Sequence, residues 1–147
     1  MKAMDTLVFV YGTLKQGFPN FFRNSGRRIG GSYRTQRPYP LYVVQLPNED
    51  RAPWLVDLPG QGQHVVGEVF AVDAALLAAM DAFEEVGLPG GYVRTEIAVQ
   101  ALEAPHTVLQ VQAYLKPPAQ LVPGQRREGP FAAYTEALAV GYRIDPG

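Results

Sequence analysis

Two groups of residues in this chain have types and spacing suited to chemistry. The first is Tyr11-Gly12-Thr13-Leu14, where the apolar run Val8-Phe9-Val10 stops abruptly. Gly12 permits a backbone conformation or a close approach that other residues resist. A strand ending in such a turn exposes several backbone N–H groups together, and these suit a carboxylate or an oxyanion. An ordinary strand-to-loop exit is the alternative. The second group is the acidic cluster Asp81, Glu84 and Glu85. Leu76, Leu77, Met80 and Phe83 share one stripe of a helix, and Glu84 falls about 20° from Leu77 on that wheel. Glu85 lies about 150° from the stripe centre, and Asp81 is also outside it. Glu84 is therefore the acid aimed at the core, where a carboxylate costs several kcal/mol unless paired, hydrogen-bonded or protonated. Pairing with Arg94 would make it structural; a raised proton affinity would suit it to general acid/base work. Glu68, in a valine-rich strand, competes for the same role, and strand alternation leaves its direction open.

Other candidates have plainer readings. His64 and His106 lack metal-ligand spacing, so no metal site is expected. Gly60-Gln61-Gly62 follows Pro59 and reads as a turn, not a dinucleotide fingerprint. Gly12-Thr13-Leu14-Lys15 lacks the ending of a phosphate loop. Arg27-Arg28 and Arg126-Arg127 read as solvated pairs. Trp54 suits the core or a pocket wall, and Tyr11, Tyr92 and Tyr114 suit either strand packing or a cavity lining.

These residues need elements to position them. The 147 residues are enough for one domain, 1–147, with one core. A composition 47% hydrophobic and 18% charged is that of a globular protein, and a net charge of −1 gives no general attraction to nucleic acid or anionic membrane. With no cysteine, thiolate catalysis and Cys-based metal sites are excluded. The short N-terminal apolar run argues against a signal peptide, no run is long enough to span a membrane as a helix, and a cytoplasmic location is expected. Nothing in the chain specifies an oligomeric state.

Strands are expected at Ile29–Thr35, Tyr39–Gln45, Ala52–Val56 and His64–Val72, with Gly67 at a bulge or bend. Asn20 is a candidate cap for a short turn through Phe21–Arg23 closing at Gly26. Asp73 is a good N-cap for the helix from Ala74 onward, and the Gly87–Gly91 stretch ends that helix. Tyr92–Leu102 and Thr107–Leu115 form a hairpin, and Lys116-Pro117-Pro118 stops its second strand. A final helix is expected over Pro130–Val140, with Gly141 beyond it, inside a C-terminal extension 117–147. Many strands with one strong helix give an α+β domain on a curved or closed sheet.

Taken together, the motifs resemble a known family. Val8–Lys15 is similar to the strand and binding loop of the γ-glutamyl cyclotransferase-like (AIG2-like) superfamily. Pro53-Trp54-Leu55, Leu58–Gly62, Val66–Val69 and Val72-Asp73 resemble its γ-glutamylamine cyclotransferase branch. Met80–Glu84 followed by Tyr92-Val93-Arg94-Thr95 completes the likeness over roughly residues 7–100, with a looser match at Val111–Leu115. The family's catalytic Glu falls on Glu84. The resemblance implies a small mixed β-barrel with flanking helices and a cavity between the Tyr11–Leu14 loop and Glu84. Trp54, Tyr92 and Tyr114 join Tyr11, Gly12, Thr13 and Leu14 as expected substrate-binding residues. It further implies cleavage of a small γ-glutamyl amide, such as γ-glutamyl-lysine, to 5-oxoproline and a free amine, without metal or cofactor. The Gly87–Gly91 stretch is longer and richer in glycine than the family pattern, which leaves the amine open, and the chain after Lys116 matches nothing. The same chemistry on a γ-glutamyl amino acid, peptide or specialised metabolite is the near alternative. A non-catalytic small-ligand-binding or regulatory module is the alternative of another class.

Overall fold

The apolar run at residues 8–11 has no polar face because both of its sides are covered. In the structure, a computed structural model that describes residues 5–47, 51–140 and 142, this run belongs to β1 (Thr6–Val10). β2 (Arg27–Thr35), β5 (Val66–Val72), β6 (Val93–Ala101) and β7 (Val108–Leu115) join it in a closed barrel ordered β1-β5-β2-β6-β7. The neighbours pair antiparallel except β1 and β7, which close the barrel in parallel at Val8↔Gln112. This is the expected α+β mixed barrel. Phe9, Val69, Ile97, Val99, Val111 and Ala113 fill its interior. The alternate residues Val8, Val10, Phe70 and Val72 pack outside, beneath Leu76, Leu77, Met80 and Phe83 of α1 (Ala74–Phe83). Each face of β1 thus buries its own set of side chains, as period-two geometry requires.

A second sheet, β4-β3-β8, combines β3 (Leu41–Gln45), β4 (Arg51–Leu55) and the unanticipated two-residue β8 (Arg127–Glu128). Val56 bridges Lys116 in parallel, which ties this sheet to the end of β7. Gly67 is required by close approach: a Cβ there would meet the Val10 carbonyl and lie 2.7 Å from the Phe9 ring. The irregularity of register falls opposite, in β2 between Arg28 and Ser32, not at Gly67.

Three local expectations are corrected. The helix over Pro130–Val140 shrinks to α2 (Glu136–Ala139), capped by Thr135. Phe131 N–H donates to the Leu41 carbonyl and Val66 N–H to the Ala132 carbonyl, so 130–135 lies against the strands and cannot coil. Gly141 lies outside the described residues. Asn20 precedes the 3-10 turn Phe21–Arg23 without capping it through its side chain, and Asn24, not Gly26, ends that turn. Finally, α1 ends before the glycine-rich stretch. Glu85 takes the left-handed position (φ 57°), with its N–H on Ala82 O and the Val86 N–H on Asp81 O.

Candidate active site

Glu84 caps the C-terminal end of α1. Asp73 accepts from Leu76 N–H at 2.8 Å and starts the helix, and Glu84 N–H still donates to Met80 O at 2.9 Å. Its own carbonyl accepts from Tyr92 N–H at 3.0 Å, so the Glu84 backbone is held from both sides. Gly91 fits under the turn because any Cβ there would strike the Glu85 carbonyl. The Glu84 side chain lines a cavity of about 340 Å³ with Tyr11, Gly12, Thr13, Leu14, Trp54, Tyr92 and Tyr114. Glu84 and the seven residues expected to bind substrate therefore line one space, and the competing acid Glu68 is not among them.

Opposite Glu84, the loop after β1 is fixed through its carbonyls. Gly12 O accepts from Lys15 N–H at 3.1 Å, Thr13 O from Asn20 N–H at 2.8 Å, and Leu14 O from Asn24 Nδ2 at 3.2 Å. Asn20 Nδ2 also donates to Thr13 Oγ1 at 2.9 Å, which is what this side chain does in place of capping. Among the described residues, the N–H groups of Gly12, Thr13 and Leu14 have no acceptor. Pro53 presses on Gly12 closely enough that a Cβ would sit 2.7 Å from its ring. The result is a rigid set of free donors beside the cavity, the arrangement that suits a negatively charged oxygen.

The tyrosines frame this space through hydrogen bonds. Tyr11 Oη donates to Tyr114 O at 2.6 Å, Tyr92 Oη to Pro53 O at 2.8 Å, and Tyr114 Oη to Asp81 Oδ1 at 2.7 Å. Burial first, and then the Glu84 charge, pushes the Tyr11 hydroxyl well above its ordinary range. Tyr92 is raised chiefly by burial as well, and Tyr114 by burial and then its bond to Asp81. These phenols stay neutral donors through the physiological range.

The acids separate by partner. Arg94 pairs with Asp81 at 3.0 Å, not with Glu84. Glu68 points outside the barrel beneath the loop, accepts from Gln16 N–H at 2.8 Å and lies 3.8 Å from Arg28. Neither Asp81 nor Glu68 lines the cavity. Arg28, expected as solvated surface, is thus an ion-pair partner. Among the described residues, the Glu84 carboxyl has no hydrogen bond or ion pair. Burial raises its pKa to about 8, against the opposing pull of Lys116 and with a small push from Glu85.

Sequence reasoning missed Lys116 and Tyr142, which also line the cavity. Lys116, read only as a strand stop, lies one residue beyond β7 and follows Tyr114 by two, so it continues the strand's alternation through its bridge to Val56, a signal the spacing carried. Tyr142 Oη accepts from Asn20 Nδ2 at 2.7 Å. No comparable pattern marks Tyr142. His64, away from the cavity, places Nδ1 2.9 Å from the Thr35 carbonyl.

A model of the family described as gamma-glutamyl cyclotransferase, AIG2-like, matches residues 8–133. The chain is 43% identical over 102 residues to gamma-glutamylaminecyclotransferase B of Danio rerio, covering 66% of this chain and 51% of that protein. It is 45% identical over 102 residues to gamma-glutamylaminecyclotransferase of Homo sapiens, covering 66% and 63%. The matches thus span about half to two-thirds of these curated relatives' own length. The crystal structure of an AIG2-like protein from Mus musculus superposes with a TM-score of 0.77 at 33% identity, covering 99% of this chain and 98% of that one.

Proposed function

The chain belongs to the γ-glutamyl cyclotransferase, AIG2-like family, and we propose that it cyclises a γ-glutamyl amide to 5-oxoproline with release of the free amine, the γ-glutamylamine branch being favoured by its relatives' names. The observation that carries this reading is a half-buried carboxyl without a hydrogen bond or ion pair among the described residues, lining one cavity with backbone donors that have no acceptor there. In the reaction the substrate's α-amine nitrogen attacks its own γ-carbonyl carbon, forming the ring C–N bond. The bond to the leaving amine then breaks. Because the nucleophile is tethered to its target, the protein need not supply one. Glu84 takes the proton from the attacking amine and returns it to the leaving nitrogen, so its proton count is restored. The N–H groups of Gly12, Thr13 and Leu14 hold the α-carboxylate or the developing oxyanion, and Trp54, Tyr92 and Tyr114 shape the walls. We place the enzyme in the cytoplasm on the sequence alone.

The test is 5-oxoproline release from a panel of γ-glutamyl amides, amino acids and peptides. Glu84→Gln should lower kcat by about 100- to 10,000-fold. A folded variant with near-wild-type turnover would remove Glu84 from the proton-transfer role. Release from none of the panel, with ligand still bound, would favour a binding module.

A further inference from the structure

Lys116 is a buried ammonium that the proposed reaction leaves without a task. It is only 5% exposed, yet no carboxylate lies within ion-pair distance of it among the described residues. Instead it is caged. Nζ donates to Gly90 O at 2.6 Å and to Gln120 Oε1 at 3.1 Å, and sits 4.5 Å from the Trp54 ring centre and 4.2 Å from that of Tyr92. Two of its three N–H donors are used, and the rings hold the charge without neutralising it. An ammonium withdrawn from water with no counter-charge is costly, so a fixed positive charge at this place calls for a use. Among the described residues that line the cavity, Lys116 is the sole cation. The other charged or titratable groups around Glu84 are Glu85 on its own turn, Tyr11 from the end of β1, Tyr92 ahead of β6, Tyr114 on β7 and Tyr142 near the C-terminus.

We propose that Lys116 is a positioning residue that governs the proton on Glu84: its caged ammonium, in the wall of the same cavity, is the counter-charge that keeps the carboxylate form within reach. This rests on the cyclotransferase reading only for its consequence, since the pairing is a property of the free protein. Burial drives Glu84 toward its neutral form and Lys116 opposes that drive, while Glu84 in turn supports the charge on Lys116. A unit charge on the wall of a shared cavity, beyond ion-pair distance and at an effective dielectric constant of about 20, moves a carboxyl midpoint by about one to two pH units.

The test is an NMR titration of the Glu84 side-chain carboxyl carbon in the full chain, with Lys116→Gln, Lys116→Met and Lys116→Arg. Gln keeps a donor for Gly90 O without the charge, and Met guards against a folding defect in the Gln protein. Removing the charge should raise the Glu84 midpoint by about one to two pH units, a 10- to 100-fold change in proton affinity, and Arg should restore it to within about half a unit. The acidic limb of kcat/KM should move in step. An unchanged midpoint in either folded neutral variant, or a rise in KM alone, would overturn the proposal and make Lys116 a structural or substrate-anchoring group. Absence of 5-oxoproline release from wild-type protein, with the midpoint shift intact, would count against the cyclotransferase reading and leave this pairing standing.

Discussion

Replacing Glu84 with Gln should change how stability depends on pH. A carboxyl that titrates near 4.5 when the chain is unfolded and about 8 when folded binds more protons in the native state across that whole interval. Its stabilising contribution is therefore complete below 4.5 and is lost as pH rises through 8. The full difference corresponds to about 5 kcal/mol. Most of the first stretch is gone by pH 6, and integration from pH 6 to 9 leaves about 2.5 kcal/mol. Part of the carboxyl faces the cavity, where water relieves some of the burial, so a fall of about 1.5–2.5 kcal/mol is expected. Gln cannot titrate, and groups common to both proteins largely cancel in the difference. The assay is urea unfolding at pH 6, 7, 8 and 9, read by fluorescence of the single tryptophan, buried Trp54. The stability of wild type minus that of Glu84→Gln should decline steadily to about pH 8 and then flatten. A difference constant within about 0.5 kcal/mol over the range would refute the claim that burial holds this carboxyl in its protonated form.

Because the same carboxyl must be ionised to accept a proton, kcat/KM on a γ-glutamyl amide should climb about tenfold per pH unit and level near 8, whereas a limb near 4.5 would contradict the assignment. Gly67→Ala should cost about 2–3 kcal/mol in urea unfolding, since the new methyl would strike the Val10 carbonyl and the Phe9 ring, and a loss under 1 kcal/mol would show that β1 and β5 can part there. Glu68→Ala should lower stability by about 1–3 kcal/mol through the loss of its bond to Gln16 N–H and its ion pair with Arg28, while kcat stays within about threefold. A collapse of kcat in that folded variant would return Glu68 to contention.

The parts of this site that periodicity governs were legible in the chain. The stripe Leu76, Leu77, Met80 and Phe83 defines α1 and selects Glu84, and the unbroken apolar run of β1 announces a strand covered on both faces. What periodicity cannot supply is the partner on another element. Arg94 was a plausible mate for Glu84, but β6 brings it to Asp81, one turn back along α1. Glu68 had a face but no address until β2 brought Arg28 to it and the loop brought Gln16. The tail fails for a related reason: Pro130 and the residues after it read as a helix start, yet their backbone hydrogen bonds go to Leu41 and Val66 on distant strands. Lys116 is the instructive omission. Its spacing of two from Tyr114 marks its orientation, but Pro117 and Pro118 after it mark only where the strand stops.

Asp81, Glu68 and Glu84 show what partners decide. All three are withdrawn from full exposure, and the first two are hydrogen-bonded acids that tie elements together: Asp81 joins α1 to β6 and β7, and Glu68 joins β5 to β2 and the loop. Glu84 has the same chemistry and, among the described residues, no such bond. A purely structural acid in its place would be expected to gain a donor, because an unmet buried carboxyl is costly and one nearby arginine or amide would relieve it. The surroundings instead supply neutral tyrosine rings, a caged ammonium beyond ion-pair distance and a set of unused N–H groups on the same cavity. A ligand that brings an ammonium for the carboxyl and an anionic oxygen for the donors would satisfy both at once, and a γ-glutamyl group carries its amine and carboxylate on one carbon. The pairing of this carboxyl with the N–H groups of Gly12, Thr13 and Leu14 in one cavity thus argues for function more strongly than the inward direction of Glu84 alone.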